Sequence, residues 1–467
     1  MDDPMTPWVH YWEKCVGSGH ALLGLRSDWQ RHLKIVRDEL GFEYVRFHGI
    51  LNDDLSVLQV INGEPYYSYY NIDSIYDYLQ SIGMKPVVEL SFMPQDIAMD
   101  PTKTVFHYKG ITSPPKDWTA WTGLVKSFVS HLIDRYGLAE VSTWYFEVWN
   151  EPNCGFWSGT YQQYFYLLQI TEQVIHSISP SLKVGGPASC QSGLINETMA
   201  YINNGTFKLD FISTHLYPTD FTPLKVDVMK QVVSSVRSIV GDMPLLYTEY
   251  NDGLYGNPPL HDTPFASAFI FKNLVDVEGL VEMFSWWTFT DIFEEGGQDH
   301  VLFNKTTGWG LLALYDIPKP SFRAFQLLHQ TGQHRVAGTV PPDFYPTAGA
   351  MATSNQTHLT ILAWNHQVPG EPIGTESLSV SVSGYPISFS LPASIRRIDD
   401  QNGNPYGLWL KMGAPQYPTA QQIEALMGAS ELQSGSIPYT FIEGNMNFQF
   451  DLPPQGVASI VVSLPLQ

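Results

Sequence analysis

Two glutamates occupy matching places in the sequence. Glu151 closes the run Trp144-Tyr-Phe-Glu-Val-Trp-Asn-Glu-Pro-Asn, and Glu249 closes Pro244-Leu-Leu-Tyr-Thr-Glu-Tyr-Asn. Each run is apolar, aromatic and β-branched, which reads as a buried strand whose successive side chains face opposite ways. Pro152 has no N–H for a ladder and pushes its predecessor out of the helical region, so the first strand should end with Glu151 at its tip. A lone Glu-Pro step is equally consistent with a plain turn. Two strand-terminal glutamates in one chain instead suggest a carboxylate pair, the arrangement needed for acid, base and nucleophile work on a glycosidic bond.

Such a pair needs strands that converge. Up to about residue 320 the sequence alternates strand-like and helix-like segments, roughly eight of each, the pattern of a (β/α)8 barrel. Ser27-Asp28 stands where an N-cap belongs, before an apolar pattern of helical period running to Leu40. Strands follow at 44–48, 85–90, 144–151, 183–186, 210–215, 245–249 and 281–287, separated by helices such as 72–82, 118–136, 161–178, 226–240 and 264–277. An open doubly wound sheet is the competing topology, but no early strand is followed by a Gly-rich phosphate or dinucleotide loop.

Catalytic groups in a barrel sit at the C-terminal ends of its strands. There the sequence puts Arg46 and His48 on the second strand, Glu89 on the third, and Asn150 with Glu151 on the fourth. His215 and Tyr217 follow on the sixth, Glu249 on the seventh, and Trp286 with Trp287 on the eighth. Singly, each has an ordinary reading: a lone histidine is usually a satisfied core residue, and Glu89 and Glu147 suit buried structural pairs. Together they make a rim of acids, an amide, an arginine, imidazoles and aromatics. Arg46 and the Tyr217 hydroxyl are placed to stabilise the Glu249 charge, and desolvation by neighbours such as Trp149 should raise the pKa of Glu151.

Beyond about Val336 the pattern changes to short alternating runs at 358–364, 378–382, 387–391, 448–451 and 457–462, separated by Gly, Pro and Asn. The expected division is a barrel over 1–334 and a β-sandwich over 335–467, interrupted by a short helix at 419–427. The sandwich is readable as a support for the barrel or as a separate sugar-binding module.

The chain has 467 residues, a formal net charge of −21 and 13% aromatic residues, with 13 Trp and 25 Tyr. Aromatics in that number suit sugar stacking as well as core packing. The charge argues against a nucleic-acid backbone or an anionic membrane as partner. Cys15, Cys154 and Cys190 permit one internal disulfide, in any of three pairings, and leave one thiol. Sequons at Asn196, Asn204, Asn304 and Asn355, together with the acidity, fit a secreted glycoprotein. The sequence shows no apolar leader and no apolar run of membrane-spanning length, so a secreted form would have lost its signal. It contains neither Gly-x-Ser-x-Gly nor His-Glu-x-x-His, and no cysteine or histidine spacing of metal-site type. The expected chemistry therefore needs no cofactor and no metal.

These motifs resemble glycoside hydrolase family 39, whose members include β-xylosidases and α-L-iduronidases. The resemblance runs nearly end to end. It is carried by Cys15-Val-Gly-Ser-Gly, Arg46-Phe-His-Gly, Glu89-Leu-Ser-Phe-Met-Pro, Phe146-Glu-Val-Trp-Asn-Glu-Pro-Asn and His261-Asp-Thr-Pro. Ser285-Trp-Trp-Thr-Phe with Phe293-Glu-Glu, Ile317-Pro-Lys-Pro and Trp409-Leu-Lys-Met-Gly complete it. It implies Glu151 as general acid/base, Glu249 as nucleophile, Asn150 as partner of the sugar 2-hydroxyl, and His48, Trp287 and Glu295 as sugar contacts, with Glu295 preferred to Glu294. His215 joins the substrate-binding set. The implied activity is that of a retaining exo-β-D-xylosidase. The alternatives are another specificity in the family (α-L-iduronidase, arabinosidase, or an endo or disaccharide-releasing glycosidase) and an inert carbohydrate-binding protein on the same scaffold. The loop 218–225 is shorter than in the bacterial xylosidases, and the segment 303–309 also differs from them.

Overall fold

A computed structural model of the chain describes residues 6–205, 207–221, 224–254, 260–297, 302–303, 308–338, 346–383 and 391–464. Eight parallel strands close into a barrel, in chain order around the ring. They are β1 (Cys15–His20), β2 (Tyr44–His48), β3 (Lys85–Glu89), β4 (Tyr145–Glu147), β5 (Lys183–Ser189), β6 (Phe211–Leu216), β7 (Leu245–Tyr250) and β8 (Met283–Trp286).

The helices between them turn one apolar stripe inward. Ser27–Leu40 buries Trp29, His32, Leu33, Val36 and Leu40, the spacing of a single helical face. Tyr161–Ile178 begins on a capping box, with the Thr160 hydroxyl accepting from the Gln163 N–H. The cap expected at Ser27-Asp28 is not formed. Arg26 is the N-cap without a side-chain bond, and the Asp28 carboxylate lies inside the first turn, accepting from the Trp29 N–H at 2.9 Å and pairing with the Arg26 guanidinium at 2.7 Å.

The floor of the barrel is filled by Cys15, Tyr44, Val87, Phe211, Leu246 and Met283. Above it, β2 alternates Tyr44, Arg46 and His48 toward the interior, lifting a guanidinium and an imidazole to the rim. Gly17 and Gly19 of β1 explain their motif: a Cβ at Gly17 would stand 2.6 Å from the Trp287 ring, and one at Gly19 would stand 2.8 Å from Phe293. Side chains there would evict the aromatic wall of the site.

β4 corrects the sequence-based expectation. It stops at Glu147, and Glu151 lies in the loop beyond. Trp149 and Glu151 adopt left-handed backbone, φ 73° and 40°, which ends the pleat. The segment still follows β5, with the Val148 N–H donating to Gly185 O at 3.0 Å and the Glu151 N–H to Ala188 O at 2.8 Å.

A seven-stranded and a three-stranded antiparallel sheet pack face to face through Leu359, Ile361, Phe448, Phe450 and Ile460. The chain start returns to this unit, Thr6–Pro7 pairing with His334–Val336. The strand expected at 387–391 falls mostly outside the described residues. Helices Pro405–Lys411 and Ala420–Ser430 pack Tyr406, Trp409 and Leu426 against Phe303, Ala313 and Ile317, so this unit braces the segment that follows β8. Among the described residues no helix is long and apolar enough to cross a membrane.

Candidate active site

Register shifts near the ends of β6 and β7 bring His215 and Glu249 opposite one another. A carboxylate oxygen of Glu151, one of Glu249 and a His215 nitrogen lie within 4.8 Å of one another. His215 Nδ1 stands 2.7 Å from Glu151 Oε1 and 3.5 Å from Glu249 Oε2. All three groups are buried.

The two carboxylates have different surroundings. Glu249 accepts from Arg46 Nη1 at 2.6 Å and from the Tyr217 hydroxyl at 2.6 Å. Glu151 has only the imidazole among these donors. Burial raises the pKa of both. For Glu151 the nearby Glu249 charge adds to burial and carries the shift well above the ordinary value. For Glu249, Arg46, His48 and the Tyr217 hydroxyl oppose burial and limit the rise. Burial, reinforced by the charges of Arg46 and His48, holds His215 well below its usual pKa, so its ring is neutral and has one proton to offer.

Arg46 organises the remainder. Its Nε donates to Glu147 at 2.5 Å, its Nη2 to Asn150 Oδ1 at 2.9 Å, and the same Nη2 lies 2.8 Å from Glu89. Glu89 also takes His48 Nδ1 at 2.7 Å and the Ser91 hydroxyl, while Glu147 takes the Thr248 hydroxyl at 2.7 Å. Glu89 and Glu147 are thus the structural partners of a guanidinium fully removed from water. His48 Nε2 points on toward Glu249 at 3.7 Å and Glu295 at 3.5 Å. Glu294 instead faces His20 at 3.6 Å and Arg26 at 3.9 Å.

Trp287, Tyr217, Phe293 and Trp309 form the aromatic wall, with the Trp287 ring 4.8 Å from His48. The structure therefore brings together Arg46, His48, Asn150, Glu151, His215, Tyr217, Glu249, Trp287 and Glu295. The Trp149 indole packs on Phe92, Trp121 and Trp157, and its N–H donates to Phe156 O at 2.7 Å.

Sequence reasoning passed over three groups here. Phe106 stacks on His48 at 5.8 Å, and Tyr108 stacks on His20 at 3.7 Å. Aromatic-rich Phe106-His-Tyr108 was a readable signal for both. The third is a buried ion triad: Lys319 Nζ lies 2.6 Å from Asp262 and 2.5 Å from Asp291, and donates to Gly308 O at 2.7 Å. Asp291 in turn accepts from the Gly310 N–H at 2.7 Å, which fixes the backbone on both sides of Trp309. This accounts for His261-Asp-Thr-Pro and Ile317-Pro-Lys-Pro without giving either a place in the chemistry.

The shifted pKa of Glu151 has a consequence for stability. An unfolded glutamate titrates near pH ~4.3, whereas the folded one holds its proton to higher pH. Folding is therefore unpenalised below the unfolded value and loses stability as pH rises from there toward the folded value. Glu151→Gln is expected to be more stable than the native protein at pH 7 by about 0.5–2 kcal/mol, and so to unfold at a higher temperature, with the difference vanishing near pH ~4. Thermal unfolding at both pH values checks this; equal midpoints at pH 7 would show that the buried charge costs nothing.

A barrel that gathers a carboxylate pair, an arginine-held glutamate and an aromatic wall at one rim defines a glycoside hydrolase. Residues 2–446 match the pattern of Glycosyl hydrolases family 39. A beta-xylosidase of Caldicellulosiruptor saccharolyticus is 42% identical over 469 aligned positions, covering 97% of this chain and 95% of that protein. One from Geobacillus stearothermophilus is 35% identical, covering 90% and 86%. The crystal structure of a monomeric beta-xylosidase from Caulobacter crescentus CB15 superposes with a TM-score of 0.87 at 29% identity, covering 99% and 97%. The chain belongs to glycoside hydrolase family 39, and a carbohydrate is its substrate.

Proposed function

We propose that the protein is a retaining β-D-xylosidase that removes xylose from non-reducing ends, with Glu249 as nucleophile and Glu151 as acid/base. The observation that carries the reading is the unequal support of two carboxylates lying within 4.8 Å of each other. Retention requires carboxyls about 5–5.5 Å apart, close enough for one to attack the carbon whose leaving oxygen the other protonates. Arg46 and Tyr217 favour the ionised form of Glu249, and burial beside that charge favours the protonated form of Glu151.

In the first step the Glu249 carboxylate forms a bond to the anomeric carbon as the glycosidic C–O bond breaks, and Glu151 gives its proton to the departing oxygen. Esterification removes the Glu249 charge, which after burial is the largest cause that raises the Glu151 pKa. Glu151 then stays ionised, supported by the neutral His215, and takes a proton from the water that displaces Glu249. Arg46 occupies the Asn150 carbonyl, which leaves the amide NH2 as the end that donates to a sugar 2-hydroxyl.

A neutral sugar suits this site better than a uronic acid. Glu89, Glu147, Glu151, Glu249 and Glu295 gather there, and Arg46 is already engaged by Glu89, Glu147 and Glu249. The curated β-xylosidase relatives point the same way. The test is a parallel screen of aryl β-xyloside, α-L-iduronide, α-L-arabinoside and β-glucoside with Glu249→Ala as blank. Nucleophile-dependent release from the xyloside well above the other three is expected. Preference for the iduronide would overturn the sugar assignment, and silence on all four would overturn exo action on small glycosides.

A further inference from the structure

The loop that carries Glu151 is tied to the end of β5 by more than backbone contacts. Asn153 and Cys190 exchange two hydrogen bonds, Cys190 N–H to Asn153 Oδ1 and Asn153 Nδ2 to Cys190 O, each 3.0 Å. The Glu151 N–H donates to Ala188 O. Between these loops lies the Cys154–Cys190 disulfide, and Cys15 is the free, buried thiol. A Glu151 carboxylate oxygen and both sulfurs lie within 4.8 Å of one another. The disulfide therefore lies beside the reacting carboxyl as well as tying its loop.

We propose that the Cys154–Cys190 disulfide is a positioning group for Glu151, which makes protonation of the leaving oxygen dependent on the redox state of this bond. The proposal rests on the reading of Glu151 as acid/base. Glu151 sits at φ 40° and Ala188 at φ 49°, conformations that L-residues hold only when their surroundings over-determine them. Two amide hydrogen bonds are a weak restraint of about 1 kcal/mol each; the covalent link removes the freedom they leave. Misplacement of a catalytic group by as little as ~1 Å costs on the order of 100-fold in rate.

Cys154 is exposed and Cys190 is buried, which sets the direction of reduction. A dithiol attacks the Cys154 sulfur as thiolate, forming a mixed disulfide while Cys190 leaves as thiolate and takes up a proton. The second thiol of the reductant then displaces Cys154 as a thiol and closes the reductant's own disulfide. Two electrons pass from the dithiol to the protein.

The test compares the native protein, the dithiothreitol-reduced protein and Cys154→Ala/Cys190→Ala on two aryl glycosides of the sugar the enzyme hydrolyses. One has phenol, a poor leaving group, and the other dinitrophenol, which needs no proton. Loss of the disulfide is expected to lower kcat/KM for the phenyl glycoside by about 10- to 100-fold and for the dinitrophenyl glycoside by less than about 3-fold, with recovery on reoxidation. No loss, or equal loss on both substrates, overturns the proposal. If the double variant fails to fold, the reduced native protein, its thiols counted and its near-ultraviolet circular dichroism followed, decides alone. Glu151→Ala with the disulfide intact is run alongside. If it shows leaving-group dependence and the reduced protein does not, the clamp fails while the acid/base assignment stands; if Glu151→Ala itself shows none, both fall.

Discussion

Glu249→Ala is expected to lower turnover of an aryl β-xyloside by about 100,000-fold, the scale seen when a covalent nucleophile is removed. Added azide should then restore release of the aryl group and yield a glycosyl azide of inverted configuration. Both outcomes follow from the surroundings of the residue. Arg46 Nη1 and the Tyr217 hydroxyl, each 2.6 Å from one of its oxygens, hold the carboxylate ionised and aimed. Removing the side chain leaves a space at the face from which the anomeric carbon is attacked, and a small anion can enter it. Glu151 remains to protonate the leaving oxygen, so one displacement runs forward and stops. Chromatography and NMR of the product check the configuration. Loss of activity without azide rescue would place Glu249 among the supports of Arg46 and outside the chemistry.

Glu151→Ala is expected to lose about 100- to 10,000-fold on glycosides with poor leaving groups, the range a positioned general acid supplies. The loss in the glycosylation step on dinitrophenyl glycosides should be far smaller, because that leaving group departs unprotonated. Their steady-state turnover should fall and then recover with azide, which needs no base to attack the glycosyl-enzyme. The distinction rests on the site geometry: Glu151 lacks the guanidinium and hydroxyl that hold Glu249 and stands against a histidine kept neutral by burial. A series of aryl glycosides of graded leaving-group pKa checks it, and a steep dependence should appear only in the variant. Equal losses across the series would show that the substitution disturbs binding and not proton transfer.

The barrel was legible because its helices are strongly periodic. The apolar spacing at 118–136 and 161–178 reproduces Trp118–Tyr136 and Tyr161–Ile178. Strand ends were less legible. The run 144–153 reads as one strand to Pro152, yet β4 stops at Glu147, since propensity for extended backbone does not register the left-handed turns at Trp149 and Glu151. Alternation of faces along the run also fails at those turns, where the pleat ends. A hairpin after β2, Leu58–Ile61 paired with Glu64–Tyr67, also went unread although Asn62-Gly63 between them is a strong turn signal. Arg46 and Tyr217 were legible as partners of Glu249 because Arg46 alternates inward with His48 on β2 and Tyr217 directly follows β6. The Asp262–Lys319–Asp291 triad was not, since Asp262 comes from the connection after β7 and Asp291 and Lys319 from the two ends of the long connection after β8, which meet only in the folded chain.

The most direct measurement is the mass of the protein after incubation with an activated 2-deoxy-2-fluoro-β-xyloside, whose fluorine slows the second displacement more than an activated leaving group allows it to slow the first. The expected result is one fluoroxylosyl group per chain, mapped by peptide fragmentation to Glu249 and absent from Glu249→Ala. An adduct on another carboxylate, or no adduct while ordinary β-xylosides are cleaved with inversion, would contradict the account.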